Sequence, residues 1–222
     1  MNNLYVIGGP PRCGKSTILY ELMKQKPVVA VQFDAVRDGV RNALFDETNV
    51  EVTKLHLKGG VTFKKEDGAS ASKAISIGIT EEDPFVWKAL TGIVKYYDKD
   101  LDTQDLALEG TGITPTLASR LKPANYVIRA AFVGFTDAAH SEAILAHARD
   151  KEDWIHTWLK QNQGDEAEVR AWINSEVERS KREAKEVAEL GYGYFDLSKR
   201  PFEDHVKTAV EYLLEPTKSS PK

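Results

Sequence analysis

Along this chain, short apolar runs alternate with longer amphipathic stretches. Leu4 to Ile7 is a compact apolar and aromatic run, the pattern of a buried strand. Lys15 to Lys24 puts Ile18, Leu19, Leu22 and Met23 at helical spacing. Val28 to Phe33 reads as a second strand, and Asp34 to Leu44 as a helix with Val36, Val40 and Leu44 on one face. Between 47 and 80 the pattern changes. There, Lys54–Lys58 and Val61–Lys65 flank Gly59-Gly60 as the arms of a hairpin, and a linker-like EDGASASKA follows.

Asp83 and Pro84 open the next helix as N-cap and first-turn proline. Its apolar face is Val86, Trp87, Leu90, Ile93, Val94 and Tyr97. Asp105 to Leu108 is a short strand ending in Glu109, and Tyr126 to Phe135 a longer one. Residues 137–163 hold two polar helices, with Trp154 and Trp158 one turn apart. Glu166 to Leu190 reads as one long helix striped by Val169, Ile173, Val177, Ala184 and Val187, with Glu178 and Arg182 spaced as an i,i+4 pair. Gly191 ends it. Tyr192 to Leu197 is a last strand and Phe202 to Leu214 a last amphipathic helix. Strands alternating with helices predict an α/β fold, a parallel sheet covered on both faces. Ligands of such sheets bind at the carboxyl ends of the strands. The segment 8–17, Asp34 and Glu109 all sit at such ends, so they are expected to converge.

Composition narrows the class. The chain has 222 residues, 41% of them hydrophobic, as expected of a globular protein able to bury a core. One domain is expected over 1–214, with 47–80 as an insertion and a disordered polar tail over 215–222. The net charge of −4 weighs against a surface built for extended nucleic acid. A single cysteine excludes an internal disulfide framework and a cysteine-rich metal site. No apolar run reaches membrane length, and a strand begins within three residues of the N-terminus, leaving no visible signal peptide. A cytoplasmic protein is the expectation.

The strongest chemical signal is GGPPRCGKST, Gly8 to Thr17, between the first strand and the first helix. Gly9 to Ser16 fits G-x-x-x-x-G-K-[ST] without a mismatch. Glycines let the backbone wrap a phosphate with converging N–H groups, and the following helix adds its positive dipole end. Gly9, Pro10, Pro11, Arg12, Cys13, Gly14, Lys15, Ser16 and Thr17 are therefore the predicted triphosphate cradle. Lys15 can reach the β- and γ-phosphates, Ser16 can ligate Mg²⁺, and Thr17 would lie near the α-phosphate. The prolines stiffen the loop. Arg12 either adds charge near phosphate or is solvated. Cys13 is either a low-pKa thiol at a helix start or a small residue that fits.

Three segments carry a family resemblance: GGPPRCGKST, FDAVRDGVR (Phe33 to Arg41) and LALEGTGITP (Leu106 to Pro115). With the closing YFDLS strand, rather more than half of the chain resembles the small P-loop kinases of the adenylate-kinase-like fold. The likeness is to the branch of polynucleotide 5′-hydroxyl kinases, zeta toxins and antibiotic or sugar phosphotransferases. The third segment is also similar to 2-phosphoglycerate-kinase-like proteins. The resemblance implies a five-stranded parallel sheet with an inserted hairpin, a helical lid over 137–170, and ATP with Mg²⁺ as cofactors. It also implies a role for Asp34 as the base at the acceptor hydroxyl; a helix N-cap is the structural alternative. Arg37, one turn on, could hold the acceptor. Glu109 stands where an acid near Mg²⁺ is needed, in place of the commoner aspartate, and Thr111 could touch substrate. Arg149 is the leading lid arginine and Arg170 a poorer one, although 137–170 contains no R-x-x-x-R. Arg200, after the last strand, could stack on the base or simply enter the helix.

The 47–80 segment is locally basic, with Lys54, His56, Lys58, Lys64 and Lys65, which suits an anionic acceptor or edge-strand protection. The functional expectation is a kinase for a small-molecule hydroxyl. The alternatives are a nucleotide or polynucleotide 5′-hydroxyl kinase, and an ATPase switch with no acceptor. The base-reading N-K-x-D of a GTPase is absent.

Overall fold

The computed structural model describes residues 2–44, 84–99, 104–150, 154–161 and 166–215. The proposed hairpin, the whole 47–80 insertion and the predicted N-cap Asp83 lie outside these residues, as does the tail beyond 215. Strand β1 is Asn2–Gly8, followed by α1 (Lys15–Gln25), β2 (Val28–Gln32) and α2 (Phe33–Leu44). Then come α3 (Pro84–Lys99), β3 (Asp105–Gly110), α4 (Pro115–Arg120) and β4 (Tyr126–Gly134). Helices α5 (His140–Asp150), α6 (Trp154–Gln161) and α7 (Ala167–Leu190) precede β5 (Gly193–Asp196), a 3₁₀ turn over Leu197–Lys199 and α8 (Phe202–Leu214).

The five strands form one parallel sheet in the order β2-β3-β1-β4-β5. Central β1 is buried on both faces, which is why its sequence is a near-continuous apolar run. Its residues alternate between two cores. Leu4 and Val6 face a layer containing Phe33, Val86, Leu90, Ile113 and Leu117. Tyr5 and Ile7 face Ile18, Leu22, Leu145, Ile155, Ile173, Val177 and Val210. Helices α2, α3 and α4 thus cover one face and α1, α5, α6 and α8 the other, while α7 packs into the second core through Val169, Ile173 and Val177 and into the first through Val187. The phosphate loop after β1 and the order 2-3-1-4-5 make this an α/β sheet of the adenylate-kinase-like P-loop type. Among the described residues, no helix is long and apolar enough to cross a membrane.

Three details depart from the sequence pattern. Helix α4 was not expected, although Thr114 caps it by accepting from the Leu117 amide at 3.2 Å and Pro115 fills its first turn. Glu178 finds its hydrogen-bonded partner in Lys181, at 2.7 Å, and not in Arg182 as predicted. Helix α2 begins at Phe33, so Asp34 lies inside the first turn and is not the N-cap. The long α7 does end as expected: Gly191 turns left-handed at φ 71° and the Tyr192 amide bonds back to the Val187 carbonyl at 3.1 Å.

Candidate active site

The segment between β1 and α1 folds as a tight glycine-rich turn. Gly9 has φ 132°, and a Cβ there would overlap the Val133 carbonyl oxygen, so only glycine fits where the loop crosses β4. Gly14, at φ 78°, turns the chain into α1. Arg12 between them is also left-handed, at φ 67°. That conformation costs an L-residue with a side chain roughly 1–2 kcal/mol. The loop is anchored from behind: His205 of α8 is fully buried with Nε2 3.2 Å from the Cys13 carbonyl oxygen. A carbonyl only accepts, so Nε2 carries the proton and the ring is the Nε2–H tautomer. Burial lowers the pKa of His205, which favours the neutral ring. Cys13 is buried too, and burial pushes its thiol up to about 12. It is therefore a packing residue with no thiolate character, and the reactive-thiol alternative falls away.

In front of the loop lies a cavity of about 450 Å³. The loop and α1 contribute Pro11, Arg12, Lys15 and Ser16 to it. The ends of β2 and β3 contribute Gln32, Asp34, Glu109 and Thr111. Three predicted strand-end groups therefore do converge. Lys15 is almost fully buried and donates from Nζ to the Pro10 carbonyl at 2.8 Å. Burial lowers its pKa, while Glu109 and Asp34 act in the opposite sense. Glu109 is buried as well. Burial raises its carboxyl pKa and Asp34 acts in the same sense, while Lys15 and the nearby Ser16 hydroxyl act against it.

Asp34 is held by groups distant in sequence. Its Oδ2 accepts from the Thr111 amide at 3.2 Å, and its Oδ1 lies 3.5 Å from Arg37 Nη2. Arg37 also faces Asp38, with 3.8 Å between Nε and Oδ1. The geometry of the β3–α4 turn follows from Phe33, which is fully buried against it. A Cβ on Gly110 would stand 2.7 Å from Phe33 Cβ, so the glycine of LEGTG makes room for the residue that presents Asp34.

The remaining predicted residues lie elsewhere. Arg149 is half-exposed and bound to Glu166, with Nε 3.0 Å from the carboxylate. Arg170 bridges Glu142 and Glu166. Arg200 is exposed and donates to Thr208 Oγ1 at 3.1 Å. Thr17 is exposed on α1. None of these four lines the cavity.

Sequence reasoning missed Arg179. This α7 residue donates from Nη2 to the Thr111 carbonyl at 2.6 Å and from Nε to Glu183 at 2.7 Å, and its Nη1 lies 3.5 Å from Glu176. Burial raises the pKa of both glutamates, and Arg179 opposes that shift in each. The signal was available: Glu176, Arg179 and Glu183 fall at helical spacing beside the Val177 stripe, so the charges face inward.

Among the described residues no cluster of three or more His, Cys, Asp or Glu could hold a metal by itself. The donor set that is present, the Ser16 hydroxyl and the Glu109 carboxylate lining one cavity, suits Mg²⁺, which keeps most of its waters and takes further ligands from phosphate.

No protein-family model and no curated protein matches the chain. Solved structures do resemble it. A shikimate kinase from Bacteroides thetaiotaomicron superposes with TM-score 0.49 at 12% identity, over 96% of this chain and 99% of that one. A gluconokinase from Sinorhizobium meliloti 1021 gives TM-score 0.47 at 14% identity, over 96% and 91%. A sugar kinase from Janibacter sp. HTCC2649 gives 0.46 at 11%, over 96% and 95%.

Proposed function

We propose that this chain is an ATP-dependent kinase that transfers the γ-phosphoryl group to a hydroxyl of a small polar molecule. The observation that carries this reading is Asp34. Its carboxylate is oriented by the Thr111 amide and Arg37, and it opens into the same cavity as Lys15 and Ser16 of the phosphate loop. A phosphate site alone needs no such acid. Phosphoryl transfer to an alcohol does, because the acceptor hydroxyl must be aligned and must lose its proton.

In this reading the loop amides and Lys15 hold the β- and γ-phosphates. Lys15 Nζ exchanges the Pro10 carbonyl for phosphate oxygens, a stronger charge-assisted bond. Ser16 and Glu109 would hold Mg²⁺, which when bound neutralises charge on the phosphate oxygens. The acceptor oxygen forms a bond to the γ-phosphorus, the bond from that phosphorus to the β–γ bridging oxygen breaks, and the acceptor proton passes to Asp34. Arg37 keeps Asp34 aimed, and Gln32 and Thr111 offer polar contacts to the acceptor. Arg149 would reach the transferring group only after releasing Glu166, and Arg200 would reach a base only after leaving Thr208. The test is ADP release across a panel of hydroxyl acceptors, with and without Mg²⁺. Acceptor-dependent release supports the reading. ADP and inorganic phosphate at a rate indifferent to every acceptor would favour an ATPase switch.

A further inference from the structure

We propose that Arg12 contacts the phosphoryl group in transit, and that the left-handed backbone at Arg12 is retained because it aims the guanidinium at that group. The inference rests on the kinase reading above and adds to it a residue whose role the motif leaves open.

Arg12 is the one non-glycine residue with positive φ among the described residues. The same loop places glycine at its other two positive-φ positions, Gly9 and Gly14. Glycine would relieve the backbone at position 12 as it does on either side, yet an arginine stands there. Backbone strain of this kind persists where the surroundings impose it, and it clusters at functional sites. A second, independent observation is where the side chain goes. Arg12 lines the cavity with Lys15, Asp34 and Glu109, and its Nε and Nη2 are shielded from bulk solvent.

Charge gives the reason. The cavity holds two carboxylates, Asp34 and Glu109, and Lys15 and Arg12 are its basic side chains. A phosphoryl group passing between ADP and an acceptor spreads negative charge over three oxygens. Asp34 beside it repels that charge, Glu109 is engaged with Mg²⁺ in the reading above, and Lys15 is shared between the β- and γ-phosphates. Among the described residues Arg12 is the arginine that lines this cavity, whereas Arg37, Arg149, Arg170 and Arg179 are not part of its lining. The planar guanidinium of Arg12 can give two parallel donors to phosphoryl oxygens, which an ammonium cannot. Arg12 takes no part in bond making; the proton still goes to Asp34.

The test needs no knowledge of the acceptor. ADP affinity is measured by titration calorimetry with Mg²⁺, alone and with fluoroaluminate, which mimics the phosphoryl group in flight. This is done for the wild type, Arg12→Gly and Arg12→Lys, with melting temperatures recorded alongside. In the wild type, fluoroaluminate should tighten ADP. Arg12→Gly should bind ADP alone about as well, lose on the order of 10²-fold of the fluoroaluminate gain, and melt no lower than the wild type. Arg12→Lys should recover part of the gain. An equal gain in wild type and Arg12→Gly overturns the proposal, as does a wild type that binds ADP with no gain. A wild type that fails to bind ADP at all takes down the kinase reading itself, and the ADP-only arm separates that outcome from the others.

Discussion

Arg179 reaches across 68 residues of sequence to donate to the Thr111 carbonyl at 2.6 Å. The amide of the same Thr111 donates to Asp34. One residue of the β3–α4 turn therefore ties the long helix α7 to the acid on the far side of the cavity. Arg179 also lies between two largely buried glutamates, with its side chain 21% exposed and that of Glu183 only 5%.

Removing Arg179 should therefore destabilise the protein strongly. Losing one partner of a buried ion pair leaves an uncompensated charge and typically costs about 3–5 kcal/mol. Arg179→Met should fall in that range by urea denaturation. The double variant Arg179→Met with Glu183→Gln should recover a substantial part, because the buried charge goes with its partner. A double variant no better than the single one would show that packing, and not charge, is what Arg179 contributes.

Why Arg179 escaped the sequence, while the phosphate loop did not, is a matter of what each pattern signals. Glycines, a lysine and a hydroxyl at fixed spacing after a buried strand rarely serve any purpose but phosphate binding. Glu and Arg at helical spacing usually mark a solvated face, and only the neighbouring Val177 hints that these face inward. The strands were legible because burial on both faces leaves them apolar and flanked by turn residues. The convergence of Asp34 and Glu109 followed from the parallel topology. What holds Asp34 was not legible, since it depends on Phe33 packing against Gly110 and on a backbone amide, and neither has a signature in residue type. Arg149 and Arg170 illustrate the reverse: their charge was visible, but Glu142 and Glu166 take it up.

Lys15→Ala should abolish most of the stabilisation that nucleotide gives. A ligand that binds only the folded state raises stability by about 2.7 kcal/mol at one hundred times its Kd. For a chain of this size, each kcal/mol is worth about 2–4 °C in Tm. A thermal shift of several degrees with ATP and Mg²⁺ is expected in the wild type, and little in Lys15→Ala. Equal nucleotide shifts in both proteins would remove the phosphate loop from nucleotide binding.

Asp34→Asn separates binding from transfer. The asparagine side-chain oxygen can still accept from the Thr111 amide, so the turn should stay in place and ATP should bind nearly as before. The basic group is lost, and removal of a general base lowers rates on the order of 10²–10⁴-fold. Once an acceptor is identified, single-turnover phosphate transfer should show that drop with the ATP thermal shift preserved. Full turnover in Asp34→Asn would reassign Asp34 to a purely structural role.

The burial of His205 behind the loop makes this region sensitive to acid, while its hydrogen bond to Cys13 works in the opposite sense. His205 is fully buried, and its pKa is lowered by burial and by nearby Arg200, against the raising effects of the Cys13 carbonyl and Asp196. A group whose pKa is lower in the folded state binds its proton first in the unfolded chain. Its stabilising contribution is complete above the unfolded value near 6.5 and is lost as pH falls from there through the folded pKa. The slope for one such group reaches at most about 1.4 kcal/mol per pH unit. Glu109, Glu176 and Glu183 act oppositely: burial raises their pKa values, so protonation favours the folded state as pH falls. A raw pH profile therefore mixes the two. Comparing the wild type with His205→Gln isolates the histidine, since the glutamine amide can still donate towards Cys13 and does not titrate. Between pH 7 and pH 5.5, urea denaturation should show the wild type losing stability relative to His205→Gln, and the ATP-induced thermal shift should weaken over the same interval. Parallel profiles for the two proteins would mean that the anchor of the loop does not titrate in this range.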